Sequence, residues 1–398
     1  MPYLLPRALT KTQTLAFVLA FGDLSYLEIC TVLQERILKS TEHWAQVAIV
    51  DMRDSDGGYE RLAGIHKVVV PVTPQPKSWG TSLKLLEDFL DGLDDGFNFS
   101  VSLYTPDAPS DTEYEHITSG VLAAVREAGL RKANLVRPRN GTEVLTKEIV
   151  SRKIVDFVVL RLQNGYWVGA TSYIPDAQQF LLRSNERPVV SADISISSRL
   201  AKVLLNLGRV TKGQVVLDPF CGSGTVLSEA LISGAKCIGV DRDPVRVENT
   251  KRNLEWLSKT LGIPNESYSL KVGDATRLEN LLGGVQVDAV VTEPIFLPRI
   301  DYAPRLDKAR KLIRNSSRLY SESLYSIAGV VRKGGRIVVV TPSLRTAADR
   351  EVSVVLENLQ EVGLRLCQPA SQHFDYPVRI SNEKTRWVRR LVYVFERL

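Results

Sequence analysis

Cysteine is scarce in this chain of 398 residues: the four present, Cys30, Cys221, Cys237 and Cys367, stand far apart, with no CxxC and no Cys/His pairing. Neither a zinc site nor a disulfide framework is indicated, and a reducing, cytoplasmic setting fits that usage. Histidine is as sparse, and His43, His66, His116 and His373 form no motif. No metal is expected. No apolar run approaches the length of a membrane-spanning helix. The run LAFVLAF (15–21) is followed by Gly22-Asp23 and an amphipathic segment, without the small-residue pattern of a secretory cleavage site. Internal repeats and low-complexity tracts are absent too, so the chain is read as ordinary globular domains.

Hydrophobic residues make up 44% and charged residues 24% of the chain, which is globular rather than disordered usage. Its length suggests two or three domains. The net charge of +6 favours a polyanionic partner, because a basic surface attracts phosphate and releases its counterions on contact.

Two textures meet near residue 185. Before it, the pattern predicts strands at 15–21, 44–52, 64–72, 97–104, 155–163 and 165–174, with helices at 25–38, 82–93 and 117–130. That is two successive α+β units. From about residue 195, strands alternate with helices, the signature of a parallel sheet covered on both faces. Seven strands are expected there: 214–218, 237–241, 269–272, 287–292, 336–341, 364–368 and 387–395.

The most informative segment is VVLDPFCGSGTVLSEAL (215–231), a strand running into Asp218, a turn through Gly222 and Gly224, and a helix from Thr225. Glycine lets backbone approach a ligand, and a helix start offers free N–H groups. The alternative is a turn with no ligand. Position 227 is leucine where a dinucleotide fingerprint has its third glycine, and no GK[ST] follows, so neither a dinucleotide nor a P-loop nucleotide is favoured. An acid at Asp218 repels pyrophosphate, whereas S-adenosylmethionine carries an ammonium and a sulfonium and no phosphate. Asp241 ends the next strand, where a carboxylate can accept from ribose hydroxyls or cap a helix. Asp274, at the third strand end, suits an adenine amine or an Asx turn.

Strand four ends in TEPIFLP (292–298). An exocyclic amine is activated by freeing its lone pair rather than by strong base. A carboxylate and a backbone carbonyl can accept its two N–H bonds while an aromatic ring stacks on the base. Glu293, the Pro294 carbonyl and Phe296 are the right types at the right spacing; the other reading is a plain strand stop.

DPFCGSGT, GVDRDP and GDATRL, followed by an acid-proline strand end, resemble the amino-methyltransferases. The N-terminal units with YWVGATSYIPDAQQFLLRSNERP (166–188) resemble the THUMP-containing tRNA guanine-N2 methyltransferases, including the guanine-10 enzymes of archaea and eukaryotes. The resemblance covers nearly the whole chain and implies an α/β fold: a ferredoxin-like unit (1–78), a THUMP domain (79–174), a linker (175–194) and a Rossmann-like class I methyltransferase domain with a seven-stranded mixed sheet (195–398). It also implies that Asp218, Pro219, Phe220, Gly222, Gly224 and Thr225 line a site for S-adenosylmethionine, with Asp241 at the ribose and Asp274 at the adenine. The family's Asp-Pro-Pro-Tyr is Glu293-Pro294-Ile295-Phe296 here; Thr292 and Pro298 match a Thr-Glu-Pro version found in some relatives.

A basic segment follows. RIDYAPRLDKARKLIRNSSRLY (299–320) carries Arg299, Arg305, Lys308, Arg310, Lys311, Arg314 and Arg318, with Tyr302 and Tyr320 as possible stacking rings. A second lies at 131–140, with Arg131, Lys132, Arg137 and Arg139. Both suit RNA phosphates, and both suit a solvated surface. RWVRRLVYVFER (386–397) reads as a late strand with its arginines facing out. The expected activity is methylation of guanosine N2 in tRNA, with a small activator subunit as a second possible partner. Its rivals are an adenine-N6 methyltransferase and a catalytically silent RNA binder.

Overall fold

Short apolar runs of strand length, each closed by glycine or a polar turn, assemble into two sheets. The structure, a computed structural model, describes residues 12–34, 36–44, 46–53, 58–73, 75–91, 93–190, 196–294, 297–298, 300–356, 359–369, 374–380 and 387–398. Packing divides the chain into two units. The first holds residues up to Gly22, Leu33–Glu60 and Ile65–Pro175; the second holds Asp23–Val32, Arg61–Gly64 and Asp176–Leu398.

The first unit is built on one eight-stranded sheet. Its strands are β1 (Thr12–Leu19), β2 (Ile37–Trp44), β3 (Val47–Arg53), β4 (Ile65–Pro71), β5 (Asn98–Tyr104), β6 (Asn134–Leu135), β7 (Val155–Leu162) and β8 (Gly165–Tyr173), in the order β2-β3-β1-β4-β8-β7-β5-β6. Phe17 of β1 lies opposite Ala48 on one side and Val68 on the other, both antiparallel. Among the described residues, only β5 pairs in parallel, with β6 and β7. The sequence reading missed β2 and ran the first helix to residue 38, whereas α1 spans Asp23–Val32. ILKSTEHW lacks a continuous apolar face because β2 is an edge strand, and its hydrogen bonds to β3 rather than its own pattern define it.

Helices α2 (Trp79–Leu90) and α3 (Asp111–Glu127) start at Ser78 and Ser110, whose side chains accept from the amides of Thr81 and Glu113. Each cap satisfies a donor that the helix leaves orphaned. Leu86, Leu90, Ile117, Val121 and Val125 then bury against Phe99, Val101, Phe157 and Val159 of the sheet. A short α4 (Thr146–Ser151) precedes β7. In the sheet, the fully buried Lys67 ammonium of β4 lies 2.8 Å from the Asp156 carboxylate of β7 and 3.1 Å from the Ser102 hydroxyl of β5. Asp156 also accepts from Ser100, Ser102 and Thr171 at 2.9, 2.7 and 2.7 Å. An ion pair can be kept in such a place because every remaining lone pair of the acid finds a donor.

In the second unit, helix α5 (Ala177–Asn185) falls within the stretch expected as linker, 175–194. Arg183 Nε and Nη2 donate to the buried Glu229 at 2.7 and 3.0 Å. Helix α6 (Ser198–Leu207) follows. The Glu28 carboxylate of α1 accepts from the amides of Ala63 and Gly64 at 3.0 and 2.7 Å and from Asn206 Nδ2 of α6 at 2.6 Å. Full burial pushes that acid above its ordinary range.

Then come β9 (Val215–Asp218), α7 (Thr225–Ile232), β10 (Lys236–Asp241), α8 (Pro244–Leu261), β11 (Tyr268–Val272), α9 (Leu278–Leu282), β12 (Val287–Thr292), α10 (Leu306–Val330), β13 (Val331–Arg345), β14 (Glu351–Ser353), β15 (Leu364–Leu366), β16 (Val378–Arg379) and β17 (Val388–Arg397). The strand order is β11-β10-β9-β12-β13-β17-β15, with β14 beside β13 and β16 beside β17. The first five are parallel and β17 runs antiparallel to β13. All seven expected strands are present, but the sheet has nine among the described residues, because β14 and β16 are too short to leave a periodic signal. Ala309, Ile313, Tyr320, Leu324 and Ile327 recur at helical spacing along α10 and pack with Leu217, Val290, Ile337 and Val339, the stripe expected of a helix lying on a sheet.

Candidate active site

Chain order sets the site. After β9 the sheet grows one way through β10 and β11; β12 then returns to the other side of β9. The carboxyl ends of β9 and β12 flank this switch point, the place where open α/β sheets leave a crevice for ligands. Asp218 ends β9 and Glu293 directly follows β12. Thr292 Oγ1 donates to Asp218 Oδ1 at 2.7 Å, tying the two strand ends together.

A cavity of 330 Å³ opens at this edge, and Asp218, Pro219, Phe220, Gly222, Thr225, Asp241, Asp274 and Glu293 all line it. Eight positions selected from sequence thus meet in one place. Asp218 is buried and also accepts from the Phe220 amide at 3.1 Å. Burial, reinforced by the nearby Asp241 and Glu293 carboxylates, pushes its pKa up to about 7 against the opposing hydrogen bonds. Asp241 accepts from the amides of Gly222 at 3.1 Å and Asp243 at 3.0 Å, which ties the glycine turn to the end of β10. Asp274 accepts from the Thr276 amide and hydroxyl, both at 2.9 Å. The amide bond, foremost, holds this acid below its ordinary range.

Two glycines need their freedom here. Gly222 has φ +55°, a left-handed backbone that favours glycine, and a Cβ there would lie 3.8 Å from the Phe220 carbonyl oxygen. Gly224, with φ +80°, caps α7 from behind, and a Cβ there would meet Thr250 Cγ2 at 2.9 Å. Thr250 Oγ1 donates to the Gly222 carbonyl at 2.8 Å and Asn253 Nδ2 to the Ser223 carbonyl at 2.9 Å. Arg187 Nη1 donates to Thr225 Oγ1 at 2.6 Å. Sequence reading singled out none of Thr250, Asn253 and Arg187, since they stand on α8 and before α6 and reach the turn only through packing.

The cradle fits S-adenosylmethionine in kind. Six acids, Asp218, Asp241, Asp243, Asp274, Glu293 and Glu322, line the cavity against two arginines, Arg242 and Arg246, and no lysine; the acidic excess matches a cationic ligand and disfavours pyrophosphate.

The end of β12 is held in a way the sequence did not reveal. Glu293, half-buried, forms an ion pair with Arg390 of β17. Arg390 was expected to face outward; it points instead to the same side as Val392 and Val394, which are buried. Strand alternation carried that signal, but the flanking Arg389, which pairs with Glu351, masked it. The Pro294 carbonyl, outside the cavity lining, accepts from the Tyr320 hydroxyl at 2.6 Å, and the same hydroxyl lies 3.0 Å from the Val340 carbonyl. Tyr320 is therefore no stacking surface: it is 1% exposed. Burial, then the charge of Glu293, raises its pKa well above the ordinary value, so it remains a donor. Phe296 and Arg299 lie outside the described residues.

Of the basic positions, Arg305 and Arg310 are exposed at the start of α10 with Lys308, Lys311, Arg314 and Arg318, the last paired with Glu322 at 2.8 Å. Tyr302 is exposed beneath the Lys308 ammonium, 5.2 Å from its ring centre. In the first unit Arg131, Lys132, Arg137 and Arg139 are exposed; Arg137 pairs with Glu115, and Arg139 lies 3.3 Å from Glu148. No described helix is long and apolar enough to cross a membrane.

Residues 187–362 match the UPF0020 family, described as an RMKL-like methyltransferase domain. The chain is 27% identical over 260 residues to the tRNA (guanine(10)-N2)-dimethyltransferase of Pyrococcus abyssi, covering 65% of this chain and 67% of that one. It is 32% identical over 163 residues to the enzyme of the same name from Methanothermobacter thermautotrophicus, covering 40% of this chain and 43% of that protein, so the match spans less than half of that relative. Among solved structures, TrmN from Thermus thermophilus superposes with a TM-score of 0.56 over 97% of this chain and 100% of that one, at 17% identity. That likeness extends to both units as a fold.

Proposed function

We propose that this chain is an S-adenosylmethionine-dependent methyltransferase acting on the exocyclic N2 amine of a guanosine in tRNA. The second unit carries a methyltransferase domain, and relatives bearing the guanine-10 N2 activity in their names cover much of the chain. The observation that carries the site reading is the pairing of Asp218 and Glu293 at the switch point, in one cavity and joined through Thr292.

Asp218 holds the ammonium of the cofactor, Asp241 the ribose hydroxyls, and Asp274 the adenine edge. S-adenosylmethionine, when bound, supplies an electrophilic methyl group on sulfur. Glu293 and the Pro294 carbonyl accept the two N–H bonds of the target amine, freeing its lone pair for attack, and Phe296 stacks on the base. The base has to leave its stack to reach such a crevice. The first unit, with its THUMP-like sequence, binds tRNA through Arg131, Lys132, Arg137 and Arg139, and Arg299, Arg305 and Arg310 follow phosphates near the base. The four free, buried cysteines are compatible with a reducing cytoplasm.

The test is incubation with labelled S-adenosylmethionine and undermodified total tRNA, followed by identification of the labelled nucleoside, with Glu293→Ala as control. Labelled N2-methylguanosine that disappears in the variant is expected. Label on adenosine moves the substrate to the N6 amine. No label despite cofactor and tRNA binding supports a silent binder, and label only after a small partner is added identifies an activator subunit.

A further inference from the structure

Each oxygen that the proposed chemistry uses is gripped from behind by a side chain distant in sequence. The Glu293 carboxylate pairs with Arg390 of β17, and the Pro294 carbonyl accepts from Tyr320 of α10 at 2.6 Å. Arg390 stands on β17, which is separated from β12 by β13, and Tyr320 on α10; Glu293 lines the cavity, whereas the side chains of Arg390 and Tyr320 do not. A plain strand end requires neither. The hydroxyl of Tyr320 sits between the Pro294 and Val340 carbonyls, so it joins the strand end to β13, where Val340 lies.

We infer that Arg390 and Tyr320 are positioning residues, setting the two acceptors that receive the N–H bonds of the target amine, and that Arg390 fixes the long glutamate side chain in place. The inference rests on the reading of Glu293 as an amine acceptor. Its physical core is length. Glutamate places its carboxylate about one C–C bond, ~1.5 Å, farther out than aspartate, and it brings one more rotatable bond. A misplacement of that size costs roughly 100-fold in rate. A guanidinium that fixes the carboxylate removes this freedom. The amine is not deprotonated before attack, so the position of the carboxylate counts for more than its basicity. The Pro294 carbonyl keeps a second lone pair for the amine while Tyr320 occupies the first.

The experiment measures kcat and KM for tRNA and cofactor in Arg390→Ala, Arg390→Lys, Tyr320→Phe and Glu293→Asp, with cofactor affinity and melting temperature as checks on folding. Arg390→Ala is expected to lower kcat roughly 100-fold with both KM values within threefold. Arg390→Lys, which keeps charge but loses the planar fork, recovers about tenfold of that loss. Tyr320→Phe lowers kcat about tenfold at unchanged KM, as loss of one hydrogen bond on a buried carbonyl predicts. Glu293→Asp withdraws the carboxylate from Arg390 and falls as far as Arg390→Ala. The inference is overturned if Arg390→Ala keeps kcat within twofold of wild type, or if Ala and Lys lose kcat equally and in step with melting temperature. Normal turnover by Glu293→Ala overturns the acceptor reading underneath it, as does a wild-type protein that turns over no tRNA with or without a small partner. Loss in Glu293→Ala beside an unaffected Arg390→Ala overturns this inference alone.

Discussion

Asp218 offers a sharp test of the cofactor cradle, because its titration and its proposed task conflict in the free protein. Its pKa is raised from 3.8 to about 7 by burial and by its acidic neighbours. That gap corresponds to about 4 kcal/mol in favour of the protonated acid. A bound ammonium needs the ionised form, so at low pH only a small ionised fraction of the protein is competent, and apparent affinity falls by that fraction. About half of the molecules are ionised at pH 7 and about 1% at pH 5, which predicts that Kd for S-adenosylmethionine weakens roughly 50-fold between those values. The comparison stops at pH 7 because an α-amino group begins to lose its own proton near 7.7–8.0. S-adenosylhomocysteine, which keeps the ammonium and lacks the sulfonium, shows the same slope if the ammonium is the partner. Calorimetric titration at pH 6 in buffers of different ionisation enthalpy counts the proton, and close to one is released on binding. Asp218→Asn binds more weakly and without pH dependence. A Kd that changes less than threefold from pH 5 to 7, with no proton released, refutes the reasoning. The sign for folding follows from the same gap. Stability supplied by the raised acid is complete below pH 3.8, declines as pH rises through about 7, and changes no further above that. Asp218→Asn is therefore expected to melt higher than wild type at pH 7.5 while binding cofactor worse.

Two further outcomes are expected outside the cradle. Asp156→Asn leaves the buried Lys67 ammonium without its close carboxylate at 2.8 Å; about 3–5 kcal/mol of stability should go from the unfolding of the first unit, and a joint Lys67→Met, Asp156→Leu change should restore much of it, read by urea unfolding. Replacing the exposed Arg310 and Arg314 of α10 by alanine should weaken tRNA binding across sequences and reduce the salt slope of log K by about one unit for each lost phosphate contact; an unchanged slope would remove that face of α10 from the interface.

The sequence by itself determined the parts of this protein whose residues act within one strand and the turn after it. DPFCGSGT, GVDRDP and GDATRL each sit on a single strand end. A parallel sheet places consecutive strand ends along one edge, so strand periodicity and local turn chemistry were enough to bring Asp218, Asp241, Asp274 and Glu293 to one cavity. The strands of the first unit with continuous apolar faces were legible for the same reason. Strand β2 was not, because an edge strand is defined by its partner, and the contact of Arg183 with Glu229 was not either, because it spans 46 residues. Nor did any local pattern show that Glu293 would be paired with an arginine 97 residues later, or that Tyr320 would turn from the basic face of α10 into the core to hold the Pro294 carbonyl. Those contacts depend on β17 inserting antiparallel beside β13 and on α10 lying along the sheet. Only the tertiary structure decides them, since an ion pair between side chains distant in the chain leaves no period in the sequence of either segment.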